Sequence, residues 1–252
     1  MKTTRYKLQN RRFRKKIRFA LVSDLHGEAA EPVLENLRRG KPDYILMPGD
    51  IFERLDGNHI AENRSGYLLL REAAKLAPVF YSPGNHENGG VRSWSLKWKG
   101  SKGIPEFYAP EELKKIRKSG AVFLNNTFVL RDGIAFGGLS SGLIRPEQRP
   151  ELDWLSDFCR ADAPHVLLCH HPEYYERYLK QLDLDLIVSG HAHGGQWRIF
   201  GHGVFAPGQG IFPKYTSGVH DGRFVISTGL KAGHVIPRFF NEPEIVWVEV
   251  SP

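Results

Sequence analysis

Five short segments of this 252-residue chain place oxygen- and nitrogen-bearing side chains directly after hydrophobic runs. They are Asp24-Leu25-His26, Gly49-Asp50, Gly84-Asn85-His86-Glu87, His170-His171-Pro172 and Gly190-His191-Ala192-His193. Carboxylate, imidazole and amide oxygen together suit manganese, iron or zinc better than calcium or magnesium, which avoid nitrogen, and no thiolate cluster is present. Seven ligand-type side chains exceed the needs of one ion. They suit two ions that share a carboxylate and sit about 3.5–4 Å apart. Such a pair acidifies a bridging water and grips the non-leaving oxygens of a phosphate, so phosphoester or pyrophosphate hydrolysis is the chemistry expected. Taken singly, the segments say less: a Gly-Asp or Gly-Asn after a strand is an ordinary turn. His191 and His193 carry most weight, because residues i and i+2 of an extended chain face the same side. The flanking Gly190, Gly194 and Gly195 permit close approach. His165 and His171 are assigned to the core or to positions behind the ligands.

The runs that precede the segments (IRFALVS, DYILMPG, PVFYSPG, HVLLC and LDLIVSG) read as buried strands stopped by Gly or Ser. Ligands at strand C-termini gather at one edge of an open α/β sheet, where such folds bind ligands. Helices are expected near 29–39, 65–77, 110–119, 150–160 and 173–181. A hairpin should turn at Asp132-Gly133 between strands 127–131 and 134–138. Strands joined by Gly/Pro-rich loops should fill 196–250. A β-α-β first half and a strand-rich second half predict two sheets face to face with helices outside. The ligand-bearing strands span Asp24 to His193, so no cut between them leaves a complete site, and 17–252 is read as one domain.

The net charge of +7 is unevenly spread, since residues 1–18 hold nine cations and no acid, leaving 26 cations against 28 acids. Residues 1–16 are therefore expected to form a basic arm able to dock on an anionic membrane surface or, less favoured, nucleic acid. A nuclease would carry positive charge over its body, and this body is near neutral. With neither a leader-like apolar stretch after the charges nor a membrane-length run, a cytoplasmic chain is expected, peripheral on the inner face of the membrane. Cys159 and Cys169 are expected to be unpaired filler. Residues 88–109 carry Arg92, Lys97, Lys99 and Lys102 interleaved with Trp94, Trp98, Phe107 and Tyr108. Following His86 directly, they are a candidate substrate lid. Lys214 and Arg238 are candidate phosphate contacts.

In order and kind, the five segments resemble those of the calcineurin-like metallophosphoesterases: DxH, GDxx(D/E), GNH(D/E), a strand-terminal His and GHxH. The second stands here as Gly49-Asp50-Ile51-Phe52-Glu53. The tail GHAHGGQWRI, APGQGIFPKYTSG and PRFFNEPEIVWVEV is similar to a bacterial phosphodiesterase-like subgroup, some of whose relatives resemble UDP-diacylglucosamine hydrolases. The resemblance implies a four-layer α-β-β-α sandwich with two central mixed sheets. It also implies two divalent ions, Mn²⁺ foremost with Fe or Zn as alternatives. The first ion would be held by Asp24, His26 and His193, the second by Asn85, His170 and His191, with Asp50 bridging. His86 would be the catalytic acid, and Glu53 and Glu87 would orient imidazoles. The implied substrate is a phosphodiester or pyrophosphate, a nucleotide-linked lipid among the candidates. A phosphomonoesterase, a nuclease of the same chemistry or a non-catalytic scaffold stand as alternatives.

Overall fold

Strands apolar on both faces need cover on both faces, and this chain supplies it with helices on one side and a second sheet on the other. The computed structural model describes residues 1–88, 108–141, 150–232 and 237–252. Its strands are β1 (Lys2–Gln9), β2 (Ile17–Leu21), β3 (Tyr44–Pro48), β4 (Val79–Ser82), β5 (Val122–Phe123), β6 (Thr127–Arg131), β7 (Ile134–Leu139), β8 (His165–Cys169) and β9 (Leu186–Ser189). Then come the two-residue strands β10 (Arg198–Ile199), β11 (His202–Gly203), β12 (Phe205–Ala206) and β13 (Gly210–Ile211), followed by β14 (Gly218–His220), β15 (Phe224–Ile226) and β16 (Glu244–Ser251). The first sheet runs β1-β16-β2-β3-β4-β5 and the second β14-β15-β9-β8-β7-β6. Both are mixed: β2 to β5 are parallel, with β16 antiparallel to β2, while β15, β9, β8 and β7 are parallel between antiparallel β14 and β6.

Period-two alternation divides each strand between two cores. In β3, Tyr44 and Leu46 face the second sheet, where Phe80 stacks on Phe136 with ring centroids 3.7 Å apart. Ile45 and Met47 face the other way, onto Leu34 and Leu37 of helix α1 (Glu31–Gly40) and Leu69 and Leu70 of α2 (Arg64–Ala73). Helix α3 (Pro110–Lys118) joins the same layer through Ile116. Behind the second sheet, Leu167, Ile187 and Phe224 pack on Leu155 and Phe158 of α4 (Leu155–Arg160) and on Tyr175 and Leu179. The result is the four-layer α-β-β-α order.

Two local expectations change. The helix expected over 173–181 is a π-helical turn over Tyr175–Leu179. The basic segment is no appendage: Lys2–Gln9 lies parallel to Glu244–Ser251 as the edge strand of the first sheet. Thr4, Tyr6 and Leu8 are partly buried while Arg5, Lys7 and Gln9 are exposed, so the segment has strand periodicity beneath its charge. Beyond it, Asn10 and Arg12 reach Asp185 at 2.9 and 3.2 Å, pinning the segment to the second sheet. Among the described residues no helix is long and apolar enough to cross a membrane. Cys159 and the buried Cys169 are unpaired, and burial pushes both thiols up, as expected of filler.

Candidate metal centre

The C-terminal ends of β2, β3, β4, β8 and β9 all open on one edge of the sandwich. The loop after β2 is hydrogen-bonded to that after β3, Asp24 N–H to Gly49 O and His26 N–H to Asp50 O, each at 3.2 Å. Here the backbone leaves its ordinary range. Asp24, His26, Asp50, His191 and His193 all have positive φ, between 45° and 64°. Asp and His tolerate this region better than most residues, yet so many together in one place mark a strained, over-determined site. Small neighbours allow it. A Cβ on Gly190 would lie 2.3 Å from Asp24 Oδ2, and one on Gly49, itself at φ 87°, would lie 2.7 Å from His170 Nδ1.

The expected ligands come together in two groups. Asp24, His26 and His193 bring donor atoms within 4.8 Å of one another, and so do Asp50, His170 and His191. Asp50 joins the two. Its Oδ1 accepts the His86 backbone N–H at 3.0 Å, while its Oδ2 lies 3.0 Å from His170 Nε2 and 3.4 Å from His26 Nε2. His170 Nδ1 donates to Pro48 O at 2.7 Å, which turns Nε2 toward Asp50 and toward Asn85 Oδ1 at 3.1 Å. Asp24 accepts the His191 backbone N–H at 3.0 Å, and its Oδ1 lies 3.7 Å from His193 Nε2. All seven side chains are buried.

Burial opposes charge on both Asp50 and His170. Their mutual attraction outweighs it, holding the carboxyl well below its usual range and raising the imidazole to about 10. His191 is driven down by burial and then by His171. Asp50 and His170 thus hold each other charged, and a divalent ion would take the place of the imidazole proton; the carboxylates, imidazoles and amide oxygen gathered here are a donor set that fits such an ion.

The residues around the ligands divide unevenly. Glu53 does orient imidazoles: its carboxylate lies 3.0 Å from His86 Nδ1 and 3.6 Å from His26 Nδ1. Burial alone would raise the Glu53 pKa, but hydrogen bonds from His26 and His86 hold it far below the carboxylate range. Glu87 instead binds backbone, accepting N–H groups from Asp50, Ile51, Phe52 and Gly84 at 2.8–3.0 Å, while burial and then Asp50 push its pKa up to about 7. The expectation that it orients an imidazole is corrected: its carboxyl fixes the turns after β3 and β4 against each other. His171 packs against His191, ring centroids 4.1 Å apart, and His165 lies in the core at the far end of β8. Arg238 Nη2 sits 3.2 Å from His193 Nδ1, whereas Lys214 is drawn off to Glu176 at 3.1 Å. Of the candidate lid, 89–107 lies outside the described residues, and Tyr108 OH donates to Asn88 Oδ1.

His86 is the exception to burial. It lines an open cavity of about 490 Å³ with His26, Glu53, His59 and Lys231. Lys231, unremarked in the sequence, donates to His26 O at 3.0 Å and lies 3.7 Å from Glu53. It follows Gly229 at the end of β15, one more strand end on the same edge, and that pattern was the available signal.

Ligands from five strand ends around one shared carboxylate match a family pattern. The calcineurin-like phosphoesterase pattern fits residues 17–195. The chain belongs to that family. It is 25% identical, over 94% of its length, to a protein of Helicobacter pylori strain J99 described as an uncharacterized metallophosphoesterase, and spans only 60% of that relative. It is 24% identical to the uncharacterized protein YpbG of Bacillus subtilis, covering 97% of this chain and 85% of YpbG. Phosphodiesterase YaeI of Escherichia coli is 28% identical over 63% of this chain and 52% of its own length.

Proposed function

We propose that the chain hydrolyses a phosphodiester or pyrophosphate bond with two divalent ions, Mn²⁺ foremost. Asp24, His26 and His193 would hold the first, Asn85, His170 and His191 the second, and Asp50 would serve both. The observation that carries this reading is the Asp50 carboxylate, clamped by one oxygen and offering the other to imidazoles of both groups. When bound, such ions supply an acidified water and neutralise charge on the phosphoryl oxygens.

The remaining work falls to the chain's own residues. Glu53 accepts a hydrogen bond from His86 Nδ1–H, which leaves Nε2 for the cleft. Burial lowers the His86 pKa, but Asp50 and Glu53 outweigh it and raise the net value, so a proton is available for the leaving oxygen. Arg238, on the rim of the first group, has Nε and Nη1 without a hydrogen-bond partner among the described residues. Its donors suit a phosphoryl oxygen.

A diester or pyrophosphate with an apolar portion is favoured over a monoester. YaeI bears the name phosphodiesterase. The chain leaving His193 forms two small hairpins that, with Phe239 and Phe240, expose an aromatic rim. Phe200, Phe212 and Phe240 are 97%, 77% and 93% exposed. Each sits at a turn with φ near 50°, and Trp197 contacts Phe239. An exposed apolar surface of this kind beside a phosphoester site suits a lipid-linked substrate.

Mn²⁺-loaded protein is expected to cleave an aryl phosphodiester faster than the aryl monoester. Phe200→Ser with Phe240→Ser should raise KM for a lipid-linked pyrophosphate and spare the aryl diester. Unchanged turnover in Asp50→Ala would sink the two-ion reading, and equal KM values in the Phe variant would sink the apolar substrate.

A further inference from the structure

Three of the cations concentrated before residue 19 come together at one place. Arg5 and Lys7 of β1, Arg18 of β2 and Arg39 in the last turn of α1 line a cavity of about 300 Å³, with Trp247 and Glu249 of β16 forming part of its wall. Strand register produces this. β16 sets Arg5 beside Trp247 and Lys7 beside Glu249 on one side, and Arg18 beside Glu249 on the other. The wall is rigid: Trp247 Nε1 donates to Asn36 Oδ1 at 3.0 Å, and a Cβ on Gly40 would fall 2.0 Å from the indole ring.

The charges are not balanced from within. Glu249, the one carboxylate in the lining, is already paired with Lys16 at 2.8 Å. That pairing, with Lys7 and Arg18 behind it, holds its pKa down. Arg18 gives its backbone N–H to Asp43 at 2.7 Å and its guanidinium to Gly40 O at 3.2 Å. Arg5, Lys7 and Arg39 form no ion pair among the described residues.

We propose that this cavity binds a phosphate-bearing polyanion. Guanidinium groups fit phosphate oxygens two at a time, and the volume is at the small end of small-molecule sites. The site is separate from the metals. Arg18 starts β2, and Asp24 lies beyond its other end, so the two sites occupy opposite ends of the first sheet. Binding here therefore needs no metal, whatever the chemistry at the other edge.

Two arms test this and separate a free anion from a lipid headgroup. In the first, inorganic pyrophosphate is titrated into full-length protein stripped of metal with chelator. One saturable site per chain is expected, weakened at least tenfold by Arg5→Gln with Arg39→Gln. Arg71→Gln, the same charge change on α2, should match wild type within twofold. In the second, the protein is sedimented with phosphatidylcholine vesicles with or without phosphatidylglycerol. Retention on the anionic vesicles alone, lost in the double variant, identifies a headgroup as the source; pyrophosphate binding without retention identifies a free anion. Thermal melting checks that the double variant is folded, and Arg39→Gln alone provides a milder change. No saturable binding in either arm, or a folded double variant that binds like wild type, overturns the proposal.

Discussion

At the C-terminal ends of the strands, buried carboxylates face imidazole nitrogens that a divalent ion could share; at the N-terminal ends of the second sheet's strands, a buried carboxylate is held by N–H donors of the chain itself. Asp24 and Asp50 face imidazoles across gaps of 3.0–3.7 Å on a left-handed backbone. Asp185, before β9, accepts from Asn10 at 2.9 Å and from the His165 backbone N–H at 2.7 Å, with Arg12 at 3.2 Å. Nearby, Tyr44 OH donates to Asp132 at 2.9 Å. The same residue type serves two purposes, and what separates them is whether the carboxylate faces metal-binding nitrogens or fixed N–H donors. Strain and unmet charge are tolerated where function needs them and are offset by packing elsewhere.

Substitutions at the two ends should therefore diverge. Asp50→Ala should reduce turnover of an aryl phosphodiester by a factor of about 10³ or more, since it removes the carboxylate that faces imidazoles of both groups. Circular dichroism should show the fold intact. His86→Ala should lower kcat by about 10²–10⁴, the usual range for a lost general acid, while metal content stays at the wild-type level. Equal losses of metal and rate would make His86 a ligand and break the contrast with its neighbours.

At the other end the expected readout is stability. Asp185→Ala strands the buried His165 N–H, while Arg12 keeps Asp183 at 3.1 Å and Ala163 O at 2.8 Å; it should cost about 2 kcal/mol in denaturant unfolding and leave the kinetics of folded protein unaltered. A change in kcat comparable to the stability loss would show the ends to be coupled. The smallest effect concerns Tyr44. Burial first, then the bond to Asp132, raises its pKa from 10.0 to about 12. The raised value means that its stabilisation is complete below pH 10.0 and is lost as pH rises through about 12. Tyr44→Phe should flatten the fall in melting temperature over that window. An unchanged slope would remove Tyr44 from the pinned end.

The catalytic edge was largely legible because each expected ligand follows a buried strand, and parallel strands of one sheet end together. Less visible were groups that act on backbone. Glu87 occupies a motif position, but nothing in its spacing distinguishes orienting an imidazole from accepting four N–H groups. The left-handed conformations of five candidate ligands also leave no trace in residue order, since Asp and His adopt several backbone regions. Thr4, Tyr6 and Leu8 carried the period of an edge strand, but the charges between them dominated the reading of Lys2–Gln9 as an arm. Tyr175–Leu179 has a helix-like apolar spacing, and spacing alone does not separate an α-helix from one wider turn.

The claim at the centre of the account is that Asp50 is shared by two ions. Metal content per chain, measured after Mn²⁺ loading and removal of excess, tests it most directly. Two ions are expected in wild type, one in Asp24→Ala, and fewer than one in Asp50→Ala. One ion in wild type, or two retained by Asp50→Ala, would contradict it.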